Sequence, residues 1–279
     1  MHLLLLSRSP MEGSVSGLHK SPHRGSSVEF AEYRNYVPGD DIRRLDWRVF
    51  ARTDRFYLKE YEAETNLRSY FVLDCSGSMN FGGKLDYAKR LIATLAYITA
   101  HQGDAVSLLC CANKTFFEIP PRRNPSHLKL IFETLEKSQA RGQTGLIPAL
   151  HDLAEKVRRR ALVVVISDFF CDLEPLLHCF QHLRFQKHDL AVFQLLDPAE
   201  LNFQFDRPVR FVDLESSLGI VTEPSTVRDE YLRQLRLFLD RLRQGCHEFG
   251  VDYRQVVTDR DYERVLADFL VERASLNRQ

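Results

Sequence analysis

The chain has 279 residues, 44% of them hydrophobic, with 38 basic and 38 acidic side chains and a formal net charge of zero. This length suits one large domain with an appendage and a core that needs no staples, and the balanced charge excludes the basic footprint of a general nucleic-acid or anionic-lipid binder. Six cysteines without a CxxC pair argue against a disulfide scaffold and for reduced thiols in a cytoplasm.

The opening MHLLLLSRSP carries a run of only four leucines with no lysine or arginine before it, short of a secretory leader. Apolar runs elsewhere, such as ALVVVI at 161–166, are strand-sized and far below a membrane span. Residues 7–27 are rich in Ser, Gly, His and Pro and predict a loosely ordered lead-in. From 28 to 65 aromatic residues interleave with charge around a turn at Pro38-Gly39-Asp40-Asp41, which predicts short strands or irregular structure rather than a long helix.

Beyond Arg68 strand-like and helix-like units alternate. YFVLD (70–74) is a continuous apolar strand, and the segment 84–103 repeats apolar residues at helical spacing up to Gly103. Strands follow at 104–112 and around TFFEIP, then helices over 126–139 and 146–160. ALVVVISD (161–168) is apolar until its last two residues, as a central parallel strand covered on both faces must be. A helix near 174–187, a strand at 190–196, a polar excursion containing PVRFVDLES, a helix over 227–249, a strand at 251–258 and a helix over 261–273 complete the pattern. Such alternation predicts an α/β fold with a doubly wound, mostly parallel sheet over 69–279, preceded by a smaller segment, 1–68, that packs on it.

Loops at the carboxyl ends of parallel strands gather on one edge, where open α/β sheets bind ligands. Asp74 and Asp168 each end an apolar strand and are expected there, where burial and like charge oppose ionisation of both. A cation would relieve that conflict. Ser76 and Ser78, two residues apart, and Thr144, just before a helix, add hydroxyls to the same edge. Few carboxylates, neutral oxygens and no His or Cys ligands describe Mg²⁺ or Mn²⁺ better than zinc or a calcium cage.

The Asp-x-Ser-x-Ser run at Asp74, Ser76 and Ser78, with Thr144 and Asp168 at suitable spacing, resembles the metal-ion-dependent adhesion site of von Willebrand factor A domains. The resemblance implies an ion coordinated by Ser76, Ser78 and Thr144, supported by Asp74 and Asp168 often through water, and completed by an acidic residue of a protein partner. The flanking segments SGLHKS, EFAEYRNYVPGDDIRRLDWRVFART, VRFVDLE and GVDYRQVVTD resemble bacterial domain-of-unknown-function family 58 across roughly 13–273. That likeness implies a non-enzymatic, partner-binding accessory to a MoxR-type AAA+ ATPase, with that ATPase or its client as the partner, in a form without membrane spans.

Two further readings concern the first segment. Arg34, Arg43, Arg44, Arg48 and Arg52 alternate with acidic residues beside Tyr33, Tyr36 and Trp47; this pattern suits an internal ion-pair and aromatic network, and Arg34, Arg43, Arg44, Trp47, Arg48 and Arg52 could also form a partner surface. Asp40, Asp41 and Asp46 with Lys59 would serve a metal-dependent hydrolase only against the neutralising arginines among them. Elsewhere, Ser76 occupies the position where an aspartyl-phosphate phosphatase needs its general acid. His178 and His182, one helical turn apart, read as a half-buried helix face, and Cys75 as a spectator thiol without a His partner. The sequence contains no phosphate-binding GxxxxGK[ST] loop.

Overall fold

A computed structural model of the chain describes residues 4–7, 19–20, 29–35, 46–62, 64–65, 67–113, 115–203, 205, 209–212, 214 and 219–276. Two compact units emerge: Ser9–Leu67, and a larger one made of Met1–Arg8 with Arg68–Gln279.

The smaller unit contains β1 (His19–Lys20), β2 (Glu29–Asn35), α1 (Trp47–Thr53), β3 (Tyr57–Glu62) and β4 (Glu64–Thr65). β1 pairs with β4 and β2 with β3, both antiparallel. The short strands match the expectation, while α1 adds two turns of helix. Asp46 starts it by accepting from the Arg48 and Val49 amides at Oδ1, 2.9 and 3.3 Å. Phe50 stacks on Phe56 at 4.4 Å and meets Trp47 edge-on at 6.1 Å.

In the larger unit β5 (Arg68–Asp74) runs through a 3₁₀ segment (Gly77–Gly83) into α2 (Lys84–His101), followed by β6 (Ala105–Ala112), β7 (Thr115–Arg122), α3 (Pro125–Lys137), α4 (Leu146–Lys156) and β8 (Leu162–Ser167). Next come α5 (Leu173–Phe185), β9 (Asp189–Leu196), α6 (Pro198–Asn202), β10 (Val209–Val212), β11 (Gly219–Thr222), α7 (Pro224–Glu248), β12 (Asp252–Val257) and α8 (Tyr262–Leu276). The sheet order is β12-β9-β8-β5-β6-β7, parallel throughout except for β7. This is the doubly wound, mostly parallel α/β architecture the sequence predicts. Three short elements of this unit escape the sequence pattern. α6 is a single short turn, and β10 and β11 form an antiparallel hairpin inside the polar excursion.

Both sheet faces are covered, which is why the central strands carry no polar alternation. On one face Leu146, Leu150, Leu176, Phe180 and Leu242 pack against Val72, Val163, Val165 and Val192. The opposite face buries Phe193, whose ring meets Phe269 of α8 at 4.9 Å. The chain moves from β5 outward to β6, then returns to the other side of β5 at β8. The carboxyl ends of β5 and β8 therefore flank a topological switch point, where diverging crossovers leave a crevice.

One boundary needs correction: residues 4–7 belong with the larger unit rather than with a segment spanning 1–68. Leu5 is fully buried, and its amide donates to Gln102 Oε1 at 3.1 Å. Ser7 Oγ donates to Asp189 Oδ2 at 3.1 Å, and Arg273 Nε donates to the Leu6 carbonyl at 2.7 Å. Arg273 is itself fully buried, paired with Asp189 and, at 3.1 Å, with Asp252. Among the described residues no helix is long and apolar enough to cross a membrane.

Candidate metal site

Asp74 closes β5 at the switch point and is buried, with 1% of its surface exposed. Its Oδ1 accepts from the Ser76 amide at 2.9 Å, a tight local turn that swings the chain off the strand. The next residues enter the 3₁₀ segment, and this coil brings Ser76 Oγ and Ser78 Oγ to 3.0 Å from each other. Thr144 arrives from the loop before α4, and its hydroxyl donates to Asp74 Oδ2 at 3.3 Å.

Backbone hydrogen bonds stitch these loops together. The Cys75 amide donates to the Cys111 carbonyl at 2.7 Å, the Arg141 amide to the Cys75 carbonyl at 2.9 Å, and the Gly77 amide to the Gly142 carbonyl at 2.8 Å. Asn113, in the left-handed region at φ 50°, donates through its amide to the Gln143 carbonyl and accepts from the Gln143 amide at Oδ1, both 2.7 Å. Thr144 is thus positioned by contacts from two neighbouring strand ends.

Asp168 follows β8 and is also 1% exposed. Phe169 beside it holds a left-handed φ of 59°, a conformation disfavoured for a bulky residue. The turn is secured by Ser167, whose Oγ accepts from the Phe169 amide at 2.8 Å and donates to Asp74 Oδ2 at 2.6 Å. Ser167 therefore ties the two strand ends through one hydroxyl, a role its place as the last residue of an apolar strand does not advertise.

The sequence reading also passes over Lys84, the first residue of α2. Its ammonium is fully buried, 2.7 Å from Asp168 Oδ2 and 2.6 Å from Glu200 Oε1. Glu200 is held in turn by the α6 capping box, its Oε2 accepting from the Asp197 amide at 2.7 Å. The run Asp197-Pro-Ala-Glu200 is the signal that could have revealed this turn. Burial pushes Glu200 up from the usual carboxylate range, with Lys84 pulling the other way. Asp74 rises to about 6, first from burial and then from the Asp168 charge, against lowering hydrogen bonds from Ser167 and Ser76.

This set of groups fits a hard divalent cation. Three hydroxyls and the Asp74 carboxylate converge on one edge, and the opposition to Asp74 ionisation is what a bound cation would remove. The candidate donors, three hydroxyls and a carboxylate, are all oxygen, and among the described residues no group of three or more His, Cys, Asp or Glu gathers to hold a metal. Lys84 already compensates part of the Asp168 charge.

The remaining residues of interest are less concentrated. Arg43, Arg44 and the Arg34 side chain lie outside the described residues; Trp47, Arg48 and Arg52 sit on α1, none of whose residues is buried. Asp40, Asp41 and the Lys59 side chain likewise lie outside, and Asp46 caps α1. The Cys75 thiol is pushed up by its hydrogen bond with Cys110 and by burial, the opposite of an activated nucleophile. His182 Nε2 lies 3.0 Å from Gln186 Nε2, and its ring stands 5.9 Å from that of His151.

The chain is similar over 97% of its length to the uncharacterised protein Rv1480 of Mycobacterium tuberculosis, with 29% identity and 87% of that protein covered. Among solved structures it resembles BatB from Bacteroides thetaiotaomicron, a conserved hypothetical protein, at TM-score 0.51 and 15% identity, covering 77% of this chain and all of BatB. The SpRpn10 VWA domain aligns over 76% of this chain and 97% of its own at TM-score 0.43 and 10% identity. The likeness to BatB shows the fold. Residues 32–237 match the family described as Protein of unknown function DUF58, and the chain belongs to that family.

Proposed function

We propose that the protein is a non-enzymatic binding module that captures a carboxylate of a protein partner at a Mg²⁺ or Mn²⁺ ion, acting in the cytoplasm as an accessory to a MoxR-type AAA+ ATPase. The observation that carries this reading is the meeting of Ser76, Ser78 and Thr144 around the buried Asp74 at the β5–β8 switch point. Ser76, Ser78 and Thr144 would hold the ion, with Asp74 and Asp168 supporting it through water. The ion, when bound, supplies a positively charged open position for an incoming carboxylate. Neutral hydroxyl ligands quench little of that charge, and water released on docking contributes to affinity.

Binding is favoured over the alternative, a metal-dependent hydrolase on the same edge, by how the neighbouring groups are engaged. Asp74 accepts from Ser76, Ser167 and Thr144, and Lys84 is clasped by Asp168 and Glu200. These groups hold geometry instead of standing ready to move a proton. The ATPase partner rests on the family resemblance, and the exposed α1 face with Trp47, Arg48 and Arg52 offers it a second contact.

Affinity capture of the tagged chain from its own cell extract, in Mg²⁺ or in EDTA, tests this reading. A MoxR-type ATPase retained in Mg²⁺, and lost with EDTA or with Asp74→Ala or Ser76→Ala at unchanged circular dichroism, is the expected result. Equal retention under all these conditions would remove the ion from the mechanism.

A further inference from the structure

A groove of about 560 Å³ opens beside the candidate metal site, within the usual size range of pockets for small ligands and side chains. Phe81, Phe170, Phe203, Tyr231 and Phe238 are among the residues that line it, and so is Ser78. Groove and metal site thus share a residue. Resting on the adhesion-site reading above, we propose that this groove receives a bulky apolar side chain, Phe, Leu, Trp or Met, borne by the same partner segment as the captured carboxylate and within three residues of it.

Charge distribution selects this occupant. Among the described residues that line the groove the one charged group is matched: Glu200 is paired at 2.6 Å with Lys84, which also holds Asp168. The Lys84 ammonium lies 5.4 Å from the centre of the Phe170 ring and 5.9 Å from that of Phe81, so it anchors two aromatic walls through their faces. A charged side chain entering here would be desolvated against aromatic surface, with Glu200 and Lys84 already engaged with each other. An apolar one gains burial, and the partner's carboxylate would be matched at Ser78, where the ion would sit. An extended segment advances about 3.3 Å per residue and alternates its side chains, which gives the close spacing of acid and apolar residue.

The test is selection from a display library of random heptapeptides on the full chain in Mg²⁺. Wild type is compared with itself in EDTA, with Phe81→Ala, which removes a wall 37% exposed, and with Gln234→Trp, which plugs the groove from an exposed position on α7. The expected consensus pairs Asp or Glu with a bulky apolar residue within three positions, and replacing that residue by Ala in a synthetic peptide weakens binding about tenfold or more. Gln234→Trp and Phe81→Ala should still select the acid but lose the apolar preference. An acid-only consensus on wild type, or an apolar preference unchanged in Gln234→Trp, overturns the groove while leaving the ion reading standing. A consensus indifferent to EDTA overturns the ion reading and the shared segment with it, as does the absence of any enrichment.

Discussion

Lys84 Nζ stands 2.7 Å from Asp168 Oδ2 with both side chains buried, so the edge that gathers the candidate metal ligands also contains a buried lysine–aspartate pair. Breaking a buried pair from one side costs more than the pair contributes, because the abandoned charge stays desolvated. Lys84→Met leaves both Asp168 and Glu200 without their ammonium and should cost about 3–5 kcal/mol. Adding Glu200→Gln should return part of that loss. Urea unfolding of the single and double variants measures both effects, and a single variant as stable as wild type would refute the structural weight given to Lys84.

Gly77 has no room for a side chain. A Cβ there would come within 2.2 Å of the Leu214 carbonyl oxygen and 3.2 Å of the Gly142 carbonyl oxygen, both backbone atoms. Gly77→Ala must therefore displace the loops that position Ser76, Ser78 and Thr144, at a cost of about 1–3 kcal/mol. Calorimetric titration with Mg²⁺ should show weakened binding, and thermal unfolding a lowered midpoint. Unchanged Mg²⁺ binding would mean that the loops tolerate the shift.

Arg273 anchors the opposite end of the sheet, where Asp189 begins β9 and Asp252 begins β12. Its guanidinium also donates to the Leu6 carbonyl at 2.7 Å, a three-way arrangement that the planar fork of arginine allows and lysine does not reproduce. Arg273→Met should destabilise the fold by about 3–5 kcal/mol, with Arg273→Lys recovering only part. Hydrogen exchange at Leu5 should accelerate in both variants, since its burial depends on that corner.

His188 supplies a pH dependence. Burial holds its imidazole below the ordinary value of 6.5, and its Nδ1 accepts from the Ala161 amide at 3.2 Å. A folded-state pKa below the unfolded one means that, as pH falls below 6.5, the unfolded chain takes up the proton first and stability declines. The slope from this one group is at most about 1.4 kcal/mol per pH unit. Compared with wild type, His188→Gln should have a shallower fall in urea midpoint on acidification; identical slopes would assign the effect to other groups.

Most of the architecture was legible because a parallel sheet covered on both faces must be written in uninterrupted apolar strands. YFVLD, LLCCA, ALVVVI and LAVFQLL announce themselves, and each helix between them carries its own period. The candidate site could be proposed for a related reason: strand ends on one edge collect the polar groups that follow them, which points to Asp74, Ser76, Ser78 and Asp168, with Thr144 added from a loop just before a helix. α6 and the β10–β11 hairpin were not, since one turn and two four-residue strands are too short to display a period.

Tertiary structure alone decided which charges meet. The separations from Lys84 to Asp168 and from Lys84 to Glu200 are 84 and 116 residues, and Arg273 reaches back 267 residues to Leu6. No local pattern encodes such pairings, because they depend on which loop ends each crossover delivers to a common corner. The chain itself determined its sheet, its two covered faces and the polar edge. Only folding in three dimensions set the buried lysine against that edge and the aromatic groove beside Ser78, because desolvated charges and rings take partners by proximity in space.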